Sequence, residues 1–123
     1  MAEKPDRPAN KRFKVLFRVY RGDEIALGPG KVELLIHIAE TGSISEAARK
    51  MDMSYNRAWL LVRTMNRCFK QPLVISSRGG EQHGGAQLTK VGKDVLRLYS
   101  QLETRFTAAT RQPLREILSH LKA

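Results

Sequence analysis

The chain has 123 residues, 41% of them hydrophobic, which is enough for one domain with short extensions and a core that needs no metal. Its lone cysteine, Cys68, excludes an internal disulfide and points to a reducing cytoplasm, and no apolar run reaches the roughly 18 residues needed to span a bilayer. The net charge is +10, and nine basic against two acidic residues lie between Arg49 and Lys93, a patch that suits a polyanionic partner such as nucleic acid, although composition alone fits a merely solvated basic face as well.

Residues 1–12 are polar, with Pro5 and Pro8, and read as a disordered basic arm. Phe13, Val15, Phe17 and Val19 then alternate with Lys14, Leu16, Arg18 and Tyr20, the period of a strand. RGDE is a turn leading to a short second strand, Ile25–Leu27. Gly28-Pro29-Gly30 opens a helix from about Lys31 to Glu40, mostly buried through Val32, Leu34, Leu35, Ile36, Ile38 and Ala39, with Gly42 just past its end.

Ser43-Ile44-Ser45-Glu46 is a capping box: Ser43 caps the next helix and Glu46 is expected to reach back to it. Ala47, Ala48 and Met51 form that helix's inner stripe. Met51-Asp52-Met53 is a tight turn in which Asp52 tolerates a left-handed backbone. Ser54 caps a second helix reaching about Lys70, with Ala58, Leu61, Val62, Met65, Cys68 and Phe69 on one side and Asn56, Arg63, Arg67 and Lys70 on the other. Tyr55 and Trp59 flank the polar side, Arg57 sits at an edge, and Leu60 falls among the polar residues without an evident role.

After Pro72, residues 73–78 read as a strand, GGEQHGG as a hairpin tip and Ala86–Leu88 as the return strand. Thr89 caps a long helix with Val91, Val95, Leu98, Leu102 and Phe106 at helical spacing, interrupted by Pro113. Leu114, Ile117, Leu118 and Leu121 follow on one side of a helical tail. The expected organisation is therefore an arm over 1–12, a domain over 13–110 and a tail over 111–123.

This order meets the demands of a mainly α fold with small β-hairpins, the winged helix-turn-helix, in which the first helix of the pair braces a second that enters the major groove. Ser54, Tyr55, Asn56 and Arg57 can read base edges or hold phosphates there. Ser43 and Ser45 stand where free N–H groups favour a phosphate, although Ser43 reads more readily as a cap alone. Arg63, Arg67, Lys70 and Lys90 extend the basic surface. Arg78 and His83 belong to the wing tip, whose glycines let the backbone lie near a sugar-phosphate strand.

Enzymatic readings fare poorly. His37, His83 and His120 are scattered, and no nucleophile motif, paired carboxylates or metal cluster is present, so neither a reaction nor a cofactor is expected. Duplex DNA is the expected partner. The rival is a protein-interaction module that kept the fold, with Leu60 and the amphipathic tail as its docking surface.

The runs TGSISEAA, MSYNRAW, the double-glycine wing and LTKVG, in this order and spacing, closely resemble the DNA-binding domain of ModE-type molybdate-responsive regulators, itself related to the LysR-type helix-turn-helix. The resemblance covers about residues 13–105. It implies a homodimer on a two-fold symmetric operator, with dimer contacts through Leu98, Leu102 and Phe106 of the long helix, and target genes for molybdate uptake or molybdenum enzymes. Family members sense molybdate through further oxyanion-binding domains. Only a short tail follows Pro113 here, so molybdate binding by this chain is not expected, and sensing would fall to a separate partner protein.

Overall fold

A two-residue turn with Gly22 in the left-handed region (φ 62°) joins β1 (Val19–Arg21) to β2 (Glu24–Leu27), which pair antiparallel. The computed structural model describes residues 12–77 and 85–123; these group into two compact units, 16–100 and, separately, 12–15 with 101–123. The strand expected from Phe13 onward is confined to Val19–Arg21. In place of a ladder, Tyr99 donates its hydroxyl to the Phe17 carbonyl at 3.0 Å, and the two rings meet edge to face at 6.2 Å.

Helix α1 (Pro29–Thr41) begins with Pro29, whose fixed φ suits a first turn, and ends at Gly42 (φ 72°), which returns its N–H to the Ile38 carbonyl. Val32, Leu34, Leu35 and Ile38 are buried, whereas Ile36 and Ala39, expected inside, are exposed. Helix α2 (Ile44–Lys50) packs on α1 through Ala47 and Ala48, whose small side chains permit close approach. The turn after it closes through Asp52 at φ 57°, with the Met53 N–H bonded to the Ala48 carbonyl at 3.0 Å. Helix α3 (Tyr55–Cys68) buries Ala58, Val62 and Met65.

Strands β3 (Val74–Ser77) and β4 (Gly85–Leu88) pair antiparallel, Val74 opposite Leu88 and Ser77 opposite Gly85, and form the base of the wing. Helix α4 (Lys90–Ala109) starts under the cap expected at Thr89, which accepts the Gly92 N–H at 2.9 Å. It ends earlier than expected, at Ala109, and α5 (Arg111–Ser119) contains Pro113 in its first turn. The reason is local. Proline has no N–H for the carbonyl four residues back, and its ring clashes with that carbonyl, which here belongs to Ala109. Leu114 and Leu118 of α5 are half-buried; Ile117 and Leu121 are exposed. Among the described residues no helix is long and apolar enough to cross a membrane.

Three polar fastenings tie α3 and the wing to each other and to their neighbours. Asn66 of α3 accepts the N–H groups of Leu73 (2.8 Å) and Val74 (3.2 Å) and donates to the Val74 carbonyl (2.9 Å). The Ala86 N–H reaches the Gly42 carbonyl at 2.9 Å, fixing β4 beside the start of α2. At the far end of α3, Glu24 accepts the Cys68 thiol at 3.3 Å and pairs with the Arg67 guanidinium. The hydrogen bond from Cys68, then Arg67, hold the Glu24 carboxyl below its ordinary pKa, while burial first and Glu24 second push the Cys68 thiol up.

Gly92 lies hard against the wing: a Cβ there would come 2.2 Å from the Leu73 carbonyl oxygen. Gly92→Ala is expected to lower unfolding stability by about 1–3 kcal/mol in denaturant titration, the overpacking outweighing the ~1 kcal/mol gain in helix propensity. An unchanged or higher midpoint would mean that α4 does not rest on Leu73. The Glu24 pair also has a pH signature. A carboxyl with a depressed folded-state pKa contributes stability above its ordinary range and loses it as pH falls through the folded value. The gap in melting temperature between wild type and Glu24→Gln should therefore shrink between about pH 7 and about pH 3; a constant gap would show that the substitution acts through packing alone.

Candidate nucleic-acid interface

With Ala58, Val62 and Met65 turned inward, α3 presents Asn56, Arg57, Leu60 and Arg63 to solvent. Ser54 stands at its N-terminus, where its Oγ accepts the Arg57 N–H at 3.1 Å. That bond uses a lone pair and leaves the hydroxyl proton to donate outward. Tyr55, 51% exposed, and Trp59, 40% exposed, border the same face on the side of the wing. The guanidinium of Arg63 lies over the Trp59 ring at 5.3 Å from its centroid, a cation–π contact that holds both side chains at the surface. Helix α3 contains three arginines and no carboxylate.

An open cleft of about 750 Å³ runs between α2, α3 and the wing base, bordered by Ser45, Arg49, Tyr55, Trp59, Ser76 and Gly85. Ser45 is exposed at the start of α2. Ser43 is half-buried and caps α2 by accepting the Glu46 N–H at 3.1 Å. The reciprocal half of the expected capping box is not formed. The Ser43 N–H donates instead to the Thr41 hydroxyl at 3.2 Å, and the Glu46 carboxylate turns to Arg49, also at 3.2 Å.

Two basic residues placed on the reading surface by sequence have protein partners. Arg67 is exposed but engaged with Glu24 of β2, because the C-terminal end of α3 passes the first hairpin. Lys90 opens α4 and pairs with Asp94 one turn on, at 3.2 Å. Lys70 is exposed just beyond α3. Arg78 and His83 lie outside the described residues. Leu98, Leu102 and Phe106 are all exposed along α4.

Asn66 was not singled out by sequence, since a polar residue at the edge of a helix gives no sign of the strand that it will bind. Tyr99, at the edge of the α4 apolar stripe one turn after Val95, was also not singled out by sequence. Among the described residues no three His, Cys, Asp or Glu side chains gather as a metal site.

Comparison with known proteins agrees with this geometry. Residues 30–93 match the bacterial regulatory helix-turn-helix protein family, lysR type. The molybdenum transport protein ModE of Azotobacter vinelandii is 39% identical over 84 residues, which cover 68% of this chain and 31% of that protein. The molybdenum-pterin-binding protein MopB of Rhodobacter capsulatus is 42% identical over 77 residues (63% of this chain, 28% of that protein). The DNA-binding transcriptional dual regulator ModE of Escherichia coli K12 is 35% identical over 89 residues (72% and 34%). The matched region thus spans about a third of the length of these curated relatives. The crystal structure of ArgP from Mycobacterium tuberculosis shares the fold, with a TM-score of 0.50 at 19% identity over 68% of this chain and 30% of that one. With more than half of its residues inside the family match, an outward-facing recognition helix and a wing, the chain belongs to the bacterial regulatory helix-turn-helix proteins of the lysR family, as a DNA-binding rather than catalytic member of ModE type.

Proposed function

We propose that this protein acts in the cytoplasm as a homodimeric transcription regulator that reads a two-fold symmetric operator near genes of molybdate transport or molybdenum enzymes. The observation that carries this reading is the outward face of α3, where Asn56, Arg57 and Arg63 are exposed with no carboxylate on the helix. Asn56 suits adenine and Arg57 guanine as bidentate partners in the major groove, while Ser45, Ser54 and Arg63 hold phosphates on either side. The exposed leucines of α4, Leu98 and Leu102, supply apolar surface for a second copy, which would set two recognition helices about one turn of DNA apart. The molybdenum link rests on the names of the relatives alone.

The reading is tested by gel shift and footprinting over a range of salt concentrations. Contact with about six phosphates predicts a slope near −5 in log affinity against log salt, and a dimer predicts two protected half-sites. Arg57→Ala is expected to relax sequence preference by about 10- to 100-fold, whereas Arg63→Ala weakens all duplexes alike and flattens the slope by about 1. If neither substitution alters binding, α3 is not the reading helix; a chain indifferent to every duplex at low salt would favour a protein-interaction module. We further propose that a separate protein senses the oxyanion. Calorimetric titration of this chain with molybdate should give no stoichiometric heat, and a saturating one-to-one isotherm would contradict that.

A further inference from the structure

Two large apolar side chains, adjacent in sequence, are exposed on α3 on either side of Arg63. Leu60 is 56% exposed and Trp59 40% exposed, although the opposite face of the helix is fully buried through Ala58 and Met65. A single surface leucine would need no explanation. Here, however, Leu60 sits between Arg57, three residues before it, and Arg63, three residues after, and the Arg63 guanidinium pins the neighbouring indole. The buried face prevents the helix from rolling to hide either group.

Apolar atoms between cations suit a surface that carries negative charge at its borders and an apolar group at its centre. The major groove has that composition: phosphates line its edges, and the thymine 5-methyl is the apolar group that base pairs present there. We propose that Trp59 and Leu60 form an apolar base-reading patch that selects duplexes by thymine methyl groups, with Arg57 and Arg63 gripping the flanking backbone or guanine. This rests on the DNA-reading role proposed for α3 and adds the chemistry that it selects. It also explains why a solvent-facing helix keeps two costly apolar groups where polar ones would be better solvated.

The test starts from a duplex enriched by the purified protein from a random pool. Deoxyuridine then replaces thymidine position by position, which removes the methyl group and leaves the hydrogen-bonding edge intact. Wild type should lose about fourfold in affinity for each covered methyl, the equivalent of about 0.8 kcal/mol. Leu60→Ala and Trp59→Ala should bind the thymidine and deoxyuridine duplexes alike, with Trp59→Phe intermediate. Both positions are exposed, so circular dichroism should show intact folds. Trp59 is the sole tryptophan, so its emission should shift and its acrylamide quenching fall on the thymidine duplex.

An enriched duplex bound equally with and without its methyl groups overturns the proposal and leaves the regulatory reading standing. So do variants that keep the wild-type preference. If Leu60→Ala instead changes the sedimentation of free protein and spares the thymidine preference, the patch is a contact between copies and the proposal falls. A pool from which nothing is enriched overturns the regulatory reading and this proposal together.

Discussion

The rotational setting of α3 governs what this protein presents to a partner. Ala58, Val62 and Met65 are removed from water in the core that α3 shares with α1 and α2, and exposing those three side chains would forfeit several kcal/mol of apolar burial. With that side committed to the core, Asn56, Leu60 and Arg63 have only the outward direction available. The alanines of α2 act on the same constraint from the other side. Ala47 and Ala48 let α2 come close enough to brace α3, and the left-handed Asp52 turns the chain between them within three residues.

Position along the helix axis is set by polar contacts rather than by the core. Asn66 satisfies three backbone groups at the start of the wing, one of Leu73 and two of Val74, so the wing base is bonded to α3 directly and not merely packed on it. The Ala86 to Gly42 hydrogen bond ties the other wing strand to the start of α2, and Thr89 with Gly92 brings α4 in under Leu73. Helix, wing and bracing helix thereby border one cleft.

The same packing sorts the arginines. Arg67 shares the helical side of Asn56 and Arg63, yet the nearby β1–β2 hairpin brings Glu24 to it and turns a cation into part of an internal clamp with Cys68. Arg57 and Arg63, nearer the N-terminus, meet no carboxylate among the described residues. Basic residues on one helix thus differ in what the fold places opposite them, not in their own chemistry.

Much of this was legible beforehand. The serine caps at Ser43 and Ser54, the left-handed Asp52, the buried stripe of α3, the wing strands and the long helix after Thr89 all follow from local rules of hydrogen bonding and periodicity, because each involves residues within a few positions of one another. The same rules placed Asn56, Arg57 and Arg63 outward and predicted a basic, non-catalytic surface. What they could not reach were the long-range pairings. Whether Phe17 joins a strand or rests on Tyr99, whether Arg67 faces DNA or Glu24, and whether Asn66 meets water or β3 depend on chain segments eight to more than eighty residues apart. Periodicity records which side of an element turns inward; only the folded chain decides which polar groups meet there, because that depends on distances the sequence does not contain.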